Sequence, residues 1–225
     1  MNRLTWRNVF GFADDSLICD ECRQSLTIIS GEICRCCGRK LETLPEEYVI
    51  GDICSDCLRW EKDPAWKGVL VKNRSLFVYD SFLKELMTRF KFQGDAVLIN
   101  AVKGDLKKIW QTAFSGECVV PIPLSRKRLY ERGFNQSLLL ANLLDAEVID
   151  GLVRLDHEEK QSKKSRMERL ERSSTIFCVK EGARVKGKAI VLVDDIYTTG
   201  ATVRHAAKAL LDAGASRVSS LTLAR

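Results

Sequence analysis

The sequence predicts an α/β fold: a doubly wound, mostly parallel sheet with helices on both faces, preceded by a small cysteine-rich domain. Three observations predict it. Short apolar runs alternate with helically spaced apolar stripes from about Val69 onward, the pattern of a parallel sheet covered on both sides. Seven of the nine cysteines crowd between Cys19 and Cys57. One stretch, Ile190 to Val203 (IVLVDDIYTTGATV), reads as a buried strand, an acidic pair, a polar turn and a helix start. In such sheets ligands sit at the carboxyl ends of the strands.

Composition bounds the rest. The 225 residues leave room for one medium domain and a small one, and 45% hydrophobic content supports a sizeable core. A net charge of +6 is mildly basic and suits nucleic acid or phosphorylated ligands without proving either. The stretch from Met1 to Phe12 is broken by Arg3, Arg7 and Asn8, unlike a signal peptide. No uninterrupted apolar run approaches membrane-spanning length. A cytoplasmic chain without membrane insertion is expected, and nine cysteines there argue for metal rather than disulfides.

The cysteine-rich segment, residues 1–66, carries Cys19-Asp-Glu-Cys22, Cys34-Arg-Cys-Cys37 and Cys54-Ser-Asp-Cys57. Each C-x2-C turn sets two thiolates on one side of a knuckle, and two knuckles complete a tetrahedral zinc site. Sixteen residues separate the second and third pairs, within the zinc-ribbon range. Cys34, Cys37, Cys54 and Cys57 are the preferred ligands, with Cys36 a bystander. The competing partition joins Cys19 and Cys22 to Cys34 and Cys37, and three pairs do not divide into four-ligand sites. The segment has few large apolar residues, so folding is expected to depend on Zn²⁺.

Pro64 to Gly68 reads as a boundary, and a second domain is expected over residues 69–225. Ser75 to Tyr79 reads as a strand. Phe82, Leu83, Leu86, Met87 and Phe90 form a helical stripe ending near Gly94, with Arg89 and Lys91 read as cations complementing the helix dipole. A helix is expected over 96–113. Cys118 to Pro123 reads as a strand running into a basic loop, Leu124 to Asn135, and then a helix with Leu138, Leu139, Leu143 and Leu144 inward. Arg126, Arg128 and Arg132 in that loop suit a pyrophosphate, because guanidinium forks match phosphate oxygens; a solvated basic loop is the plainer reading. Short strands are expected at 148–149, 152–155 and 174–179. Between the last two lies a polar run, Asp156 to Arg169, read as a lid that closes over a ligand with Lys163, Lys164 or Arg166, or as an exposed linker. Gly214 marks a helix stop before a last strand, Arg217 to Leu223.

The central stretch carries the chemistry. Helix-start N–H groups lack internal partners and favour an anion. Gly200 permits close backbone approach, and Thr198, Thr199 and Thr202 add hydroxyls beside Ala201. Asp194 and Asp195 would repel a phosphate but suit a sugar diol or a divalent cation. Together these features fit a ribose 5-phosphate.

VLVDDIYTTGAT resembles the signature of type I phosphoribosyltransferases, which bind phosphoribosyl pyrophosphate (PRPP). With the C-x2-C knuckles, RFKFQGD (Arg89 to Asp95), PIPLSRKRLYERGFNQS (Pro121 to Ser137) and QSKKSRMERL (Gln161 to Leu170), the chain resembles the ComF family along essentially its whole length. The resemblance implies a zinc ribbon fused to a type I phosphoribosyltransferase-like domain. It also implies Mg²⁺ with PRPP, and a part in natural transformation, where single-stranded DNA and other competence proteins become partners. Relatives of this type commonly carry a further C-x2-C pair near their start, which implies a native reading frame beginning upstream of Met1 and would explain unmatched Cys19 and Cys22. No residue identifies the acceptor nucleophile, so a transferase and a PRPP- or nucleotide-sensing adaptor both remain open.

Overall fold

The computed structural model describes residues 19–93, 102–114, 116–155 and 176–225. The expected lid, with Lys163, Lys164 and Arg166, lies outside the described residues.

Four parallel strands form the central sheet: β3 (Asn73–Phe77), β4 (Cys118–Pro121), β7 (Ala189–Ile196) and β8 (Arg217–Ala224), in the order β3-β8-β7-β4. Alternation along β7 splits the core. Val191 and Val193 pack with α3 (Ser81–Gln93), α4 (Lys103–Ala113) and α6 (Gln136–Ala141) on one face. Ile190 and Leu192 pack on the other with α7 (Ala201–Asp212) and the antiparallel pair β5 (Leu152–Arg154) and β6 (Phe177–Val179). A helix on each side of an all-parallel sheet follows from strands that are apolar on both faces.

The cysteine-rich segment begins with the short α1 (Asp20–Gln24) and holds the two-residue strands β1 (Val49–Ile50) and β2 (Ile53–Cys54) and helix α2 (Ser55–Lys62). Its buried cysteines share one continuous core with the α7 face of the sheet. Asn73 fastens the knuckle to β3. Its backbone N–H donates to Cys36 O at 2.6 Å, its side-chain amide donates to Cys37 O at 3.0 Å, and Ser220 Oγ donates to its Oδ1 at 2.8 Å. Gly38 makes that approach possible, since its φ is 73° and a Cβ there would lie 3.0 Å from Asn73 O. Residues 27–29 cover the β3 edge: Ile29 N–H donates to Leu76 O and Val78 N–H to Thr27 O. An edge closed this way offers no free ladder to another chain.

Several elements differ from expectation. The first sheet strand runs two residues earlier than read. The basic loop contains helix α5 (Arg126–Arg132), capped by Ser125 Oγ, which accepts from Arg128 N–H, and stopped by Gly133 at φ 74°. A run of seven polar-faced residues has no core stripe, so only its caps could have signalled a helix. Val148 makes an isolated parallel bridge to Val119 rather than a strand. The acidic pair lies within β7, not after it.

Candidate ribose-phosphate site and zinc ribbon

The position of the acidic pair follows from the ends of the neighbouring strands. On the β8 side, pairing continues through Asp194 opposite Thr222 to Ile196 opposite Ala224. On the β4 side it stops at Pro121 opposite Val193, with one further bond from Ile122 N–H to Val193 O. Pro123 has no N–H to extend that ladder. The sheet therefore opens beside Asp194 and Asp195, and a cleft of about 240 Å³ forms there.

The cleft gathers Asp194, Asp195, Thr198 and Thr202 from the β7–α7 corner, Arg128 and Arg132 from α5, and Ser137 and Gln136 from α6. Arg126 is exposed on α5 and is not among the lining residues. Thr199, Gly200 and Ala201 form the backbone of the turn, with Thr199 Oγ1 accepting from Ala201 N–H at 3.4 Å.

Asp194 Oδ1 accepts from Ser137 Oγ at 3.1 Å and from Asp195 N–H at 2.9 Å. Burial, and then the neighbouring charge of Asp195, push its carboxyl up to about 7. Asp194 still keeps part of its surface open to the cleft, so an arriving cation would reverse that shift. Asp195 pairs with Lys91 at 2.7 Å, both side chains under a fifth exposed. Lys91 had read as an ordinary helix-end cation; α3 instead delivers it into the site, and no local pattern signals that. Gln136 is 1% exposed and its Nε2 has no partner among the described residues, while its Oε1 accepts from Arg132 at 3.1 Å. An orphaned buried donor on a cleft wall is costly unless a ligand satisfies it.

The phosphate turn is held from behind. Trp60 of α2 donates from Nε1 to Thr199 O at 3.2 Å, and Arg225 donates to Thr198 O at 3.3 Å. All described peptides are trans, so each tethered carbonyl turns the following N–H the opposite way, away from its tether. Thr199 and Gly200 thereby present their N–H groups on the side opposite Arg225 and Trp60. Gly200 has φ 79°, and a Cβ there would meet Tyr197 Oη at 2.1 Å and Arg204 Nη1 at 2.4 Å. Only glycine fits over that pair. Arg204 is fully buried, donates to Tyr197 Oη at 2.7 Å and lies 4.8 Å from the Trp60 ring.

In the cysteine-rich segment, the sulfur atoms of Cys34, Cys37, Cys54 and Cys57 lie within 4.8 Å of one another, all buried. Cys37 Sγ and Cys54 Sγ are 3.7 Å apart. A Zn–S bond of about 2.3 Å in a tetrahedron gives sulfurs about 3.8 Å apart, so the four residues fit Zn²⁺. Cys54 N–H donates to Cys34 Sγ at 3.4 Å, the knuckle support expected for a thiolate. Cys19 and Cys22 do not join this group among the described residues. They form a separate knuckle, with Cys22 N–H donating to Cys19 Sγ at 3.5 Å. The alternative partition of Cys19 and Cys22 with Cys34 and Cys37 is therefore not the one that the fold brings together.

Comparison with known proteins agrees with this architecture. The double zinc ribbon domain family matches residues 10–58, and the phosphoribosyl transferase domain family matches residues 137–225. Fold and site thus define a zinc-ribbon protein with a phosphoribosyltransferase-type domain. The chain is 43% identical to competence protein ComFC of Bacillus subtilis (strain 168), over 99% of this chain and 90% of that one. It is 36% identical to competence protein ComFC of Streptococcus pneumoniae, over 94% and 89%. The chain belongs to the ComF family. Among solved structures, the allosteric regulatory enzyme of purine biosynthesis overlays with a TM-score of 0.38 at 22% identity, over 53% of this chain and 24% of that one. Among the described residues, no helix is long and apolar enough to cross a membrane.

Proposed function

We propose that the chain binds PRPP, or a closely related ribose phosphate, in the cleft at the end of β7, and that it serves DNA uptake during competence in the cytoplasm. The observation that carries this reading is convergence: the acidic pair of β7, Thr198 and Thr202 of the turn that follows it, and Arg128 and Arg132 of α5 line one cleft. Asp194 and Asp195 take the ribose hydroxyls, Thr198 to Thr202 grip the 5-phosphate, and Arg128 and Arg132 meet the pyrophosphate. Arg126, Lys163 and Lys164 belong to the same basic set and act once ligand is bound. Mg²⁺ held by Asp194 and Asp195 would neutralise charge gathering on a departing pyrophosphate. Residues 1–66 and 69–225 are read as the two units, with Cys34, Cys37, Cys54 and Cys57 holding the zinc that fixes the ribbon.

Incubation with PRPP and Mg²⁺ tests turnover. Pyrophosphate release that requires an acceptor identifies a transferase, and saturable binding without release identifies a sensor; the absence of both binding and release would end the reading.

A second role, holding single-stranded DNA, is favoured by α5. Tyr130 is 92% exposed and Leu129 45% exposed beside Arg126, Lys127 and Arg128. Stacking rings among cations suit single strands. Tyr130→Ala is expected to weaken oligonucleotide binding about tenfold at low salt, with affinity falling steeply as salt rises. Salt-insensitive binding would remove this role.

A further inference from the structure

Arg204 is a buried charge that no carboxylate pairs among the described residues. It lies in the first turn of α7, its N–H donating to Gly200 O at 3.0 Å, and it is 0% exposed. Its guanidinium donates to Tyr197 Oη, while Nε and Nη2 are buried without a hydrogen-bond partner among the described residues. The Trp60 ring faces it. A cation taken wholly out of water is costly unless an opposite charge offsets it, and a ring face offsets only part.

The opposite charge stands in the ribbon. Four thiolates around one Zn²⁺ leave a cluster with net negative charge. Tyr197, which accepts the Arg204 bond, is 2% exposed and packs in the same core as Cys34, Cys37, Cys54 and Cys57. Cys57 and Trp60 are three residues apart on α2 and so share a face of that helix; Trp60 is the residue that meets Arg204. Burial pushes the Tyr197 hydroxyl up to about 12, Arg204 opposes that shift, and the sulfur charges of Cys57 and Cys37 add to it. One hydroxyl therefore feels both the arginine and the cluster. The guanidinium also lies directly against the phosphate turn, because the Cβ that Gly200 lacks would clash with Arg204 Nη1.

We infer that Arg204 is the positioning residue of the phosphate turn and that the zinc–thiolate cluster is its counter-ion, so that metal loading of the ribbon and ribose-phosphate binding are linked. The inference rests on the ribose-phosphate reading for the linkage, not for the pairing. With the cluster charged, the guanidinium stays packed against Gly200 and holds Tyr197, and a 5-phosphate meets a turn already shaped, with a fixed cation behind its backbone. With the cluster discharged, Arg204 has lost its opposite charge. Any move toward water past Gly200 or Trp60 then unmakes the turn or its Trp60 tether. Coupling between two sites is reciprocal, so a bound 5-phosphate acts back on the cluster.

The test uses the full chain loaded with Zn²⁺ or Co²⁺. Arg204→Met keeps most of the volume and removes the charge; Arg204→Lys keeps the charge. Without ligand, competition against a chromophoric chelator is expected to show zinc held about tenfold more weakly by Arg204→Met, and within about threefold of the parent by Arg204→Lys. Calorimetry on the zinc-loaded chains should give the same ranking for ribose 5-phosphate, about tenfold weaker in Arg204→Met. In the cobalt-loaded parent, ribose 5-phosphate should shift the sulfur-to-cobalt absorption band. In cobalt-loaded Arg204→Met at matched saturation the band should stay where it is, a difference that a merely structural arginine would not produce. Zinc held equally by Arg204→Met and the parent, Arg204→Lys no better than Arg204→Met, or a parent cobalt band unmoved by bound ribose 5-phosphate would overturn the inference. If Arg204→Met does not fold, the Arg204→Lys competition and the parent's cobalt band decide it. Failure of ribose 5-phosphate to bind the parent would defeat the ribose-phosphate reading, and the ligand-free zinc competitions would still decide the pairing.

Discussion

Trp60 is the contact through which the zinc ribbon reaches the phosphate turn, and replacing it with phenylalanine separates its two roles. The ring facing Arg204 stays, so the cation–π contact is kept. The 3.2 Å bond to Thr199 O is lost. A partly exposed hydrogen bond contributes about 0.5–1.5 kcal/mol net. If it holds the Gly200 N–H in its ligand-facing direction, that cost appears in binding, about threefold to tenfold in affinity for ribose 5-phosphate. Stability should fall by no more than the same amount. Trp60→Ala also loses the Arg204 contact, about 0.5–2 kcal/mol, and the edge contact with Trp66, about 0.5–1.5 kcal/mol. The alanine variant should therefore lose about 1.5–5 kcal/mol in chemical denaturation. Titration calorimetry and denaturant melts read the two effects separately. A phenylalanine variant that binds ribose 5-phosphate like the parent, or an alanine variant of unchanged stability, would refute the reasoning.

The raised Asp194 carboxyl, near 7 against an ordinary 3.8, means that the folded chain takes up a proton between about pH 4 and 7. Its stabilising contribution is full below pH 4 and lost as pH rises through 7; Asp194→Asn should flatten that part of a melting-temperature profile. Divalent cation affinity should run the other way, rising up to about pH 7 and then levelling. Cys57→Ser should lose zinc and unfold the ribbon, whereas Cys36→Ser should keep one zinc in this cluster, as read by metal analysis and by a melt with and without chelator. Lys91→Ala frees Asp195 and should tighten Mg²⁺ binding without PRPP several-fold, while weakening PRPP about tenfold.

The parts of the fold legible in sequence were those with periodic or spaced signals. Val191 and Val193 against Ile190 and Leu192 announce a strand buried on both faces, and the two later C-x2-C pairs announce a tetrahedral cluster by spacing alone. Asp194, Asp195 and the turn to Thr202 were legible because one short stretch holds them. What stayed hidden was carried by tertiary contact. Lys91 sits on a helix whose own pattern says only that Phe90 and Met87 face inward. Asn73 docks the ribbon from just before the strand that apolar content suggests. Trp60 and Arg204 meet across 144 residues of sequence, and neither residue type in isolation implies a loop tether. The helix in the basic segment was missed because it has caps and no core face.

The most direct measurement is a calorimetric titration with PRPP and Mg²⁺ of the intact protein beside the Asp194→Asn, Asp195→Asn double variant. One saturable site in the parent, weakened a hundredfold or more in the variant, is the predicted result. No binding by the parent, or equal binding by both, would contradict a ribose-phosphate site at the end of β7.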